Sequence, residues 1–99
     1  MSRLVVLTTN LMDASRVQSA VPDAAVAHSL ADAALAGADV ILLDLTTGFD
    51  PADVVTLGPP VVAYGPHVDG DALDAVVAAG CREALPRSRV FRRLPDLLK

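Results

Sequence analysis

The chain has 99 residues, of which 53% are hydrophobic and 20% charged, and its formal net charge at neutral pH is −4. This length and composition fit one folded domain and exclude a disordered tail or a fibrous repeat. The single cysteine excludes an internal disulfide, no apolar run is long enough to cross a membrane, and the acidic balance argues against nucleic-acid binding. We therefore predict one cytoplasmic domain over residues 1–99.

Short apolar runs alternate with helix-like segments, an order typical of a parallel sheet with helices on both faces. The first predicted strand covers residues 3–8, and the segment after it places apolar residues on one helical face. A short second strand is predicted over 24–27. The next helix is predicted to begin at a Ser29 cap and to end at Gly37, which would adopt a left-handed conformation.

The third strand is predicted over residues 39–44, because this run is continuously apolar between two acids. Such a pattern is typical of a central strand that is buried on both faces. A short third helix is predicted after Asp50 and Pro51, which supply a capping side chain and a suitable first helical residue. The fourth strand is predicted over residues 60–64.

The fourth helix is predicted to begin at Asp69 and to end at Gly80, with Val76 and Val77 facing the core. Cys81 follows directly and is expected to be a small core residue. A minimal fifth strand is predicted over residues 83–85, before a last short helix. Ser88 is expected to cap this last helix, which carries Val90, Phe91 and Leu94.

Five parallel strands joined by right-handed crossovers form a doubly wound sheet. We predict a three-layer α/β fold of the flavodoxin-like type, with strand order 2-1-3-4-5 and shortened helices. Such folds bind ligands outside the carboxyl ends of their strands. The residues expected at that edge are Thr8, Thr9, Asn10, His28, Asp44, Gly65, His67 and Arg87.

Two stretches of the chain resemble the receiver domain of bacterial response regulators. Residues 38–45 are similar to the third receiver strand, which ends in the aspartate that such domains phosphorylate, here Asp44. Residues 60–81 are similar to the fourth strand and fourth helix, with the same spacing to a helix-ending glycine. The resemblance covers nearly the whole chain and implies a role in two-component signalling or a phosphorelay.

The resemblance also implies which positions phosphotransfer needs, and most of them differ here. The acidic pair that helps to hold Mg²⁺ in receivers corresponds to the uncharged Thr-Thr-Asn stretch at 8–10. The nearest carboxylate is Asp13, which we expect to cap the first helix. The hydroxyl residue after the fourth strand corresponds to Gly65, the lysine after the fifth to Arg87, and the aromatic reporter to Ala84.

These departures favour a stand-alone pseudo-receiver without enzymatic activity or cofactor, which acts through protein contacts. Asp44 is then a structural carboxylate that accepts backbone N–H groups, and an Asp44–Arg87 ion pair would replace the metal. The resemblance implies that the fourth helix, fifth strand and fifth helix bind a protein partner or a second copy. The residues predicted for this face are Ala84, Arg89, Val90 and Phe91.

Two alternatives remain open at this stage. Asp44 accepts a phosphoryl group in the first alternative, with Mg²⁺ as cofactor and with Asp13 or water completing the cation site. The second alternative is a sensor of a small anion or ligand at the carboxyl edge of the sheet. Its binding residues would be Thr9, Asn10, His67 and Arg87.

Overall fold

Strands and helices alternate along the whole of the computed structural model, which describes residues 3–65 and 70–98. The strands are β1 (Leu4–Leu7), β2 (Ala25–Ala27), β3 (Val40–Asp44), β4 (Val61–Gly65) and β5 (Glu83–Pro86). The helices are α1 (Leu11–Ala20), α2 (Ala33–Ala36), α3 (Pro51–Val55), α4 (Gly70–Ala78) and α5 (Arg87–Arg92). Short 3₁₀ turns cover Leu45–Thr47 and Pro95–Leu98.

The five strands form one sheet in the order β2-β1-β3-β4-β5, and every neighbouring pair is parallel. Val5 of β1 lies opposite both Ala25 of β2 and Ile41 of β3, which places β1 inside the sheet. The predicted α/β doubly wound fold with strand order 2-1-3-4-5 is therefore confirmed. The carboxyl ends of β1, β3, β4 and β5 all meet at one edge of the sheet.

Successive strand residues point to opposite faces of the sheet, so the protein has two separate cores. Val17 of α1 and Val90 of α5 pack in the core on one face. Leu35 of α2, Val54 of α3 and Val76 of α4 pack against the other face. We refer to these two sides as the α1/α5 layer and the α2–α4 layer.

The caps of the first two helices differ from the predictions. Asn10, not Asp13, caps α1, because its Oδ1 accepts hydrogen bonds from the N–H groups of Met12 at 2.9 Å and Asp13 at 3.2 Å. Asp32, not Ser29, caps α2. In both cases the helix begins at a different residue from the one predicted, and only the residue just before the first turn can cap it.

The later helices confirm one predicted cap and contradict another. Asp50 accepts a hydrogen bond from the N–H of Ala52 at 2.9 Å and precedes Pro51 at the start of α3, as predicted. α5 follows β5 directly, with Pro86 in the cap position and no side-chain cap. Ser88 therefore lies inside α5, and the prediction that it caps this helix is wrong.

Two predictions for the helix ends and core also need correction. Gly37 after α2 has a φ of −93°, so it is not left-handed, whereas Gly80 after α4 has a φ of +115°.

Val77 is 46% exposed, although Val76 packs in the core as predicted. Cys81 is buried, and the predicted start of α4 at residue 69 lies outside the described residues. Within the described part of the chain, no helix combines the length and hydropathy needed to cross a membrane.

Candidate functional site

Three rows of side chains facing the α1/α5 layer end in polar residues at the carboxyl edge of the sheet. Alternate residues of β1, β3 and β4 form these rows, because strand side chains alternate between faces. The rows end at Thr8, just after β1, at Asp44 in β3 and at Tyr64 in β4. All three residues are almost fully buried, at 0%, 2% and 1% exposure. A cluster of buried polar groups therefore follows directly from the apolar core.

Asp44 uses both of its carboxylate oxygens within the protein. Its Oδ2 accepts a hydrogen bond from Thr8 Oγ1 at 2.6 Å. Its Oδ1 accepts from the N–H of Thr46 at 2.9 Å and from Thr46 Oγ1 at 2.7 Å. Thr47 Oγ1 donates to the Asp44 carbonyl at 2.8 Å, which fixes the 3₁₀ turn after β3. The carboxylate thus caps this turn and joins it to β1.

Asp13 is the second buried carboxylate of the cluster, at 2% exposure. It lies in the first turn of α1, three residues after the Asn10 cap. Its Oδ2 accepts a hydrogen bond from the hydroxyl of Tyr64 at 3.0 Å, and its Oδ1 forms an ion pair with Arg87. Both oxygens of Asp13 are therefore engaged as well.

The ion pair of Arg87 corrects the predicted Asp44–Arg87 pair. Within residues 3–65 and 70–98, Arg87 forms an ion pair with Asp13 and not with Asp44. Arg87 is the first residue of α5, and this helix packs beside α1 in the same layer. The guanidinium therefore reaches the first turn of α1. Its buried Nε has no hydrogen-bond partner within the described part of the chain.

The cluster brings two carboxylates and a single guanidinium close to one phenol. Burial raises the pKa of Tyr64 well above its ordinary value, and the negative charges of Asp44 and Asp13 raise it further. The nearby hydroxyl of Thr8 acts on the pKa in the opposite direction but does not reverse the shift. Tyr64 is therefore a protonated hydroxyl at neutral pH, and it can donate to Asp13 throughout the physiological range.

Phe91 connects this cluster to the surface of α5. Its ring meets the ring of Tyr64 edge to face, with centroids 5.6 Å apart and an interplanar angle of 65°. The guanidinium carbon of Arg16 lies 4.2 Å from the centroid of the Phe91 ring, and that of Arg87 lies 5.8 Å from it. Both arginines thus make cation–π contacts with Phe91. The ring is held from the inside by Tyr64 and from the outside by Arg16.

The structure brings together only part of the predicted pocket. Thr8 and Asp44 are in direct contact, and Arg87 joins them through Asp13 and Tyr64. Gly65 is buried at the end of β4, opposite Pro86. The remaining predicted residues lie elsewhere: Thr9 is exposed, Asn10 is the cap of α1, His28 is exposed with Nδ1 2.8 Å from the Thr8 carbonyl oxygen, and His67 lies outside the described residues.

The predicted interaction face also changes at one residue. Val90 has 0% exposure and packs in the core of the α1/α5 layer, so it cannot touch a partner. Its place in the helix explains this, because α5 is amphipathic and Val90 faces the sheet. Arg89 is exposed, while Ala84 and Phe91 are partly buried. Arg89 is thus the most accessible of the four residues predicted for this face.

Asp13 and Tyr64 are central to the cluster. The sequence reasoning placed Asp13 there only in the phosphoaccepting alternative, and it did not place Tyr64 there. A signal for Asp13 was present, because an acid three residues after an Asn cap occupies the first turn of a helix. A signal for Tyr64 was its period-2 spacing from Val62, which places both on one strand face. Neither signal says that the two side chains meet. Within the described residues, no three or more His, Cys, Asp or Glu side chains are arranged to hold a metal ion.

No protein-family model matches this chain, and no curated protein is significantly similar to it in sequence. Several solved structures share its fold. A response regulator from Hahella chejuensis has a TM-score of 0.75 and 16% identity, and the match covers 99% of this chain and 92% of that one. The CheY-like protein tadZ from Pseudomonas aeruginosa has a TM-score of 0.74 and 20% identity, with coverages of 98% and 96%.

A third solved structure gives the same result. The signal receiver domain of the DNA-binding response regulator merR from Colwellia psychrerythraea has a TM-score of 0.68 and 19% identity, and the match covers 98% of this chain and 97% of that one. Identities this low show the fold and not the activity. The chain therefore has a receiver-like fold over nearly its whole length, as the sequence resemblance predicted.

Proposed function

We propose that this chain is a non-catalytic receiver-like domain that takes part in signalling through protein contacts and needs no cofactor. The observation that carries the proposal is the environment of Asp44, which is 2% exposed and accepts three hydrogen bonds on its two oxygens. A carboxylate nucleophile needs an oxygen with a free path to the phosphorus atom. Asp44 would have to lose its bonds to Thr8 or Thr46 before it could attack.

The state of Asp13 supports the same proposal. Phosphoryl transfer depends on a metal ion that neutralises the developing charge, and Mg²⁺ is usually held by one or two carboxylates. Asp13 directs one oxygen to Tyr64 and the other to Arg87. In our proposal the Arg87 guanidinium supplies the positive charge that a cation supplies in a phosphorylated receiver. Because a guanidinium is always protonated, this charge is permanent and needs no ligand.

The proposed contact face comprises α4, β5 and α5. Arg89 is exposed on α5 and gives the α5 side of this face a positive charge, which suits an acidic segment of a protein partner. Phe91 joins the face to the buried cluster through its edge-to-face contact with Tyr64. We propose that the Asp13–Tyr64–Arg87 contacts hold α5 in one position, so that the face is presented without any phosphorylation step.

Incubation with acetyl phosphate and Mg²⁺, followed by mass spectrometry of the intact protein, tests this function. We expect no phosphoryl adduct on the wild-type chain and none on the matched Asp44→Asn variant. A receiver known to accept a phosphoryl group serves as the positive control. An adduct that forms on the wild type and is lost in Asp44→Asn would instead establish the phosphoaccepting alternative.

The sensor alternative has a separate readout. Inorganic phosphate added without Mg²⁺ would shift the NMR signals of Arg87, Thr9 and Asn10 in a saturable way if an anion binds at this edge. We expect no saturable shift, because the Arg87 guanidinium is already paired with Asp13. Saturable shifts without a covalent adduct would favour the sensor.

A further inference from the structure

The charged residues are divided unequally between the two layers of the fold. No lysine or arginine occurs between Arg16 and Arg82. This stretch contains all of α2, α3 and α4, so none of these three helices contains a lysine or arginine. Arg3 approaches the end of α2, where its Nη1 would lie 3.8 Å from a Cβ on Gly37, but it belongs to neither α3 nor α4. Asp50, which caps α3, Asp53 of α3 and Asp74 of α4 are exposed on this side of the sheet. We call Asp50, Asp53 and Asp74 the acidic patch.

The α1/α5 layer carries the opposite charge. Arg16, Arg89 and Arg92 are exposed, and they are not part of the Arg87–Asp13 or the Arg93–Glu83 ion pair. Asp13 of the same layer is buried and already neutralised by Arg87. We call Arg16, Arg89 and Arg92 the basic patch. Arg89 and Arg92 are three residues apart on α5, which places them on neighbouring positions of one helix face.

Exposed apolar side chains accompany both patches. The large hydrophobic residues that stand out as exposed in the described chain are Leu11 at 77%, Met12 at 73% and Val77 at 46%. Met12 precedes Arg16 by four residues on α1, and Val77 follows Asp74 by three on α4, so each pair shares a helix face. Each layer therefore presents apolar surface beside charges of one sign. This combination is typical of surfaces that bind other proteins.

Each patch extends over two helices. In the α1/α5 layer, the guanidinium of Arg16 on α1 stacks 4.2 Å from the Phe91 ring centroid on α5. In the α2–α4 layer, the end of α4 lies against α3, since a Cβ built on Gly80 would be 2.9 Å from Val55 Cγ1. The two patches lie on opposite sides of the sheet, although α4 and α5 both border β5. One molecule can therefore use both at the same time.

We propose that copies of this chain associate head to tail, with the basic patch of one copy against the acidic patch of the next. Each patch binds a second copy of this chain, because the two layers carry opposite charges and each exposes apolar side chains. Such a contact is heterologous and leaves one free patch at each end of the assembly, so it can extend beyond a dimer. The proposal goes beyond the proposed signalling function and does not depend on whether Asp44 accepts a phosphoryl group.

The available surface is large enough for two such contacts on one molecule. The accessible surface of the chain is 5259 Å², and a specific interface typically buries about 800 Å² per partner. Exposed ion pairs are weak and are screened by salt. We therefore expect association that appears at high protein concentration and depends strongly on ionic strength.

Sedimentation equilibrium in two salt concentrations tests this proposal. In about 0.01 M salt, where the Debye length is about 30 Å, we expect the average mass to rise with protein concentration past that of a dimer. In about 1 M salt, where this length is about 3 Å, we expect the mass of one chain. The charge reversals Arg89→Glu with Arg92→Glu, and Asp53→Arg with Asp74→Arg, should each abolish association. The matched control, Arg89→Lys with Arg92→Lys, should keep it.

Mixing the two charge-reversed variants separates loss of charge complementarity from loss of folding. One variant has acids on both layers and the other has arginines on both, so an equimolar mixture should associate again. Three results would overturn the proposal. The first is a wild-type chain that stays monomeric in low salt. The second is a dimer that does not grow with protein concentration and that persists in both variants. The third is a mixture of the two folded variants that stays monomeric.

Discussion

Asp13 is the residue on which most contacts of the buried cluster depend. It accepts the Tyr64 hydroxyl on one oxygen and pairs with Arg87 on the other, so it links α1, β4 and α5. Its burial means that these contacts replace the water that a carboxylate otherwise requires. Asp44 makes a similar number of contacts but joins only β1 and the turn after β3.

Replacing Asp13 should therefore destabilise the fold. In Asp13→Asn the Arg87 guanidinium loses its ion pair but remains partly exposed to water, which limits the penalty. We expect the free energy of unfolding to fall by about 1–3 kcal/mol. The matched control Asp53→Asn removes an exposed carboxylate and should change it by less than about 0.5 kcal/mol. Urea unfolding monitored by circular dichroism measures both, and equal stabilities would contradict this account.

Tyr64 gives the cluster a measurable pH dependence. Its pKa is raised in the folded state by burial and by Asp44 and Asp13. The unfolded chain loses this proton near pH 10, whereas the folded chain keeps it, so the folded state binds more protons above that pH. The contribution of Tyr64 to stability is therefore complete below about pH 10 and is lost as the pH rises through the raised pKa of the folded state.

The chain contains one tyrosine and no tryptophan, so ultraviolet absorbance reports on Tyr64 alone. We expect tyrosinate absorbance to appear only together with unfolding, and not as a separate step near pH 10. The Tyr64→Phe variant should show no tyrosinate absorbance. Its free energy of unfolding should also decrease less at alkaline pH than that of the wild type. A folded protein that ionises with an ordinary phenol pKa would show that the hydroxyl is not held as described.

Gly37 and Gly80 show how elements end in different ways. Both follow helices and both were predicted as helix-ending glycines, yet only Gly80 has a positive φ, of +115°. A Cβ at Gly80 would also lie 2.9 Å from Val55 Cγ1, whereas a Cβ at Gly37 would lie 3.8 Å from Arg3 Nη1. The two positions form a matched pair for substitution.

Alanine at these two positions should have opposite effects. Gly80→Ala imposes a backbone conformation that alanine rarely adopts and pushes against α3, so we expect a loss of about 1–3 kcal/mol in the free energy of unfolding. Gly37→Ala should be neutral or up to about 1 kcal/mol stabilising, because its φ of −93° suits alanine. Thermal or urea unfolding of the two variants decides this, and a stable Gly80→Ala protein would contradict it.

The helices also show where prediction from sequence stops. The positions of the helices follow from the spacing of apolar residues, and all five predicted segments contain one. The predicted caps at Asp13, Ser29 and Ser88 are wrong, because a cap depends on the residue at which the helix begins. That residue is set by tertiary packing, such as the direct passage from β5 into α5, and not by local pattern.

For the molecule as a whole, the sequence predicted the order of the strands. It did not predict which side chains of the site contact each other. Alternating apolar runs and helices allow few arrangements of a parallel sheet, and the observed order follows the predicted one. The pairing of Arg87 with Asp13 instead of Asp44 depends on how α1 and α5 pack together. The separation of Arg87 and Asp13 along the chain does not predict how far apart they lie in space, since 74 residues separate them.

Above all, we propose that Asp44 is a structural carboxylate in a receiver-like fold. An NMR titration of backbone amides with Mg²⁺ and then beryllofluoride, a mimic of an aspartyl phosphate, tests it most directly. We expect no saturable shifts at Asp44, Gly65 or Arg87, because the oxygens of Asp44 and Asp13 are already engaged. Saturable shifts clustered at these residues would contradict the claim and show a working phosphorylation site.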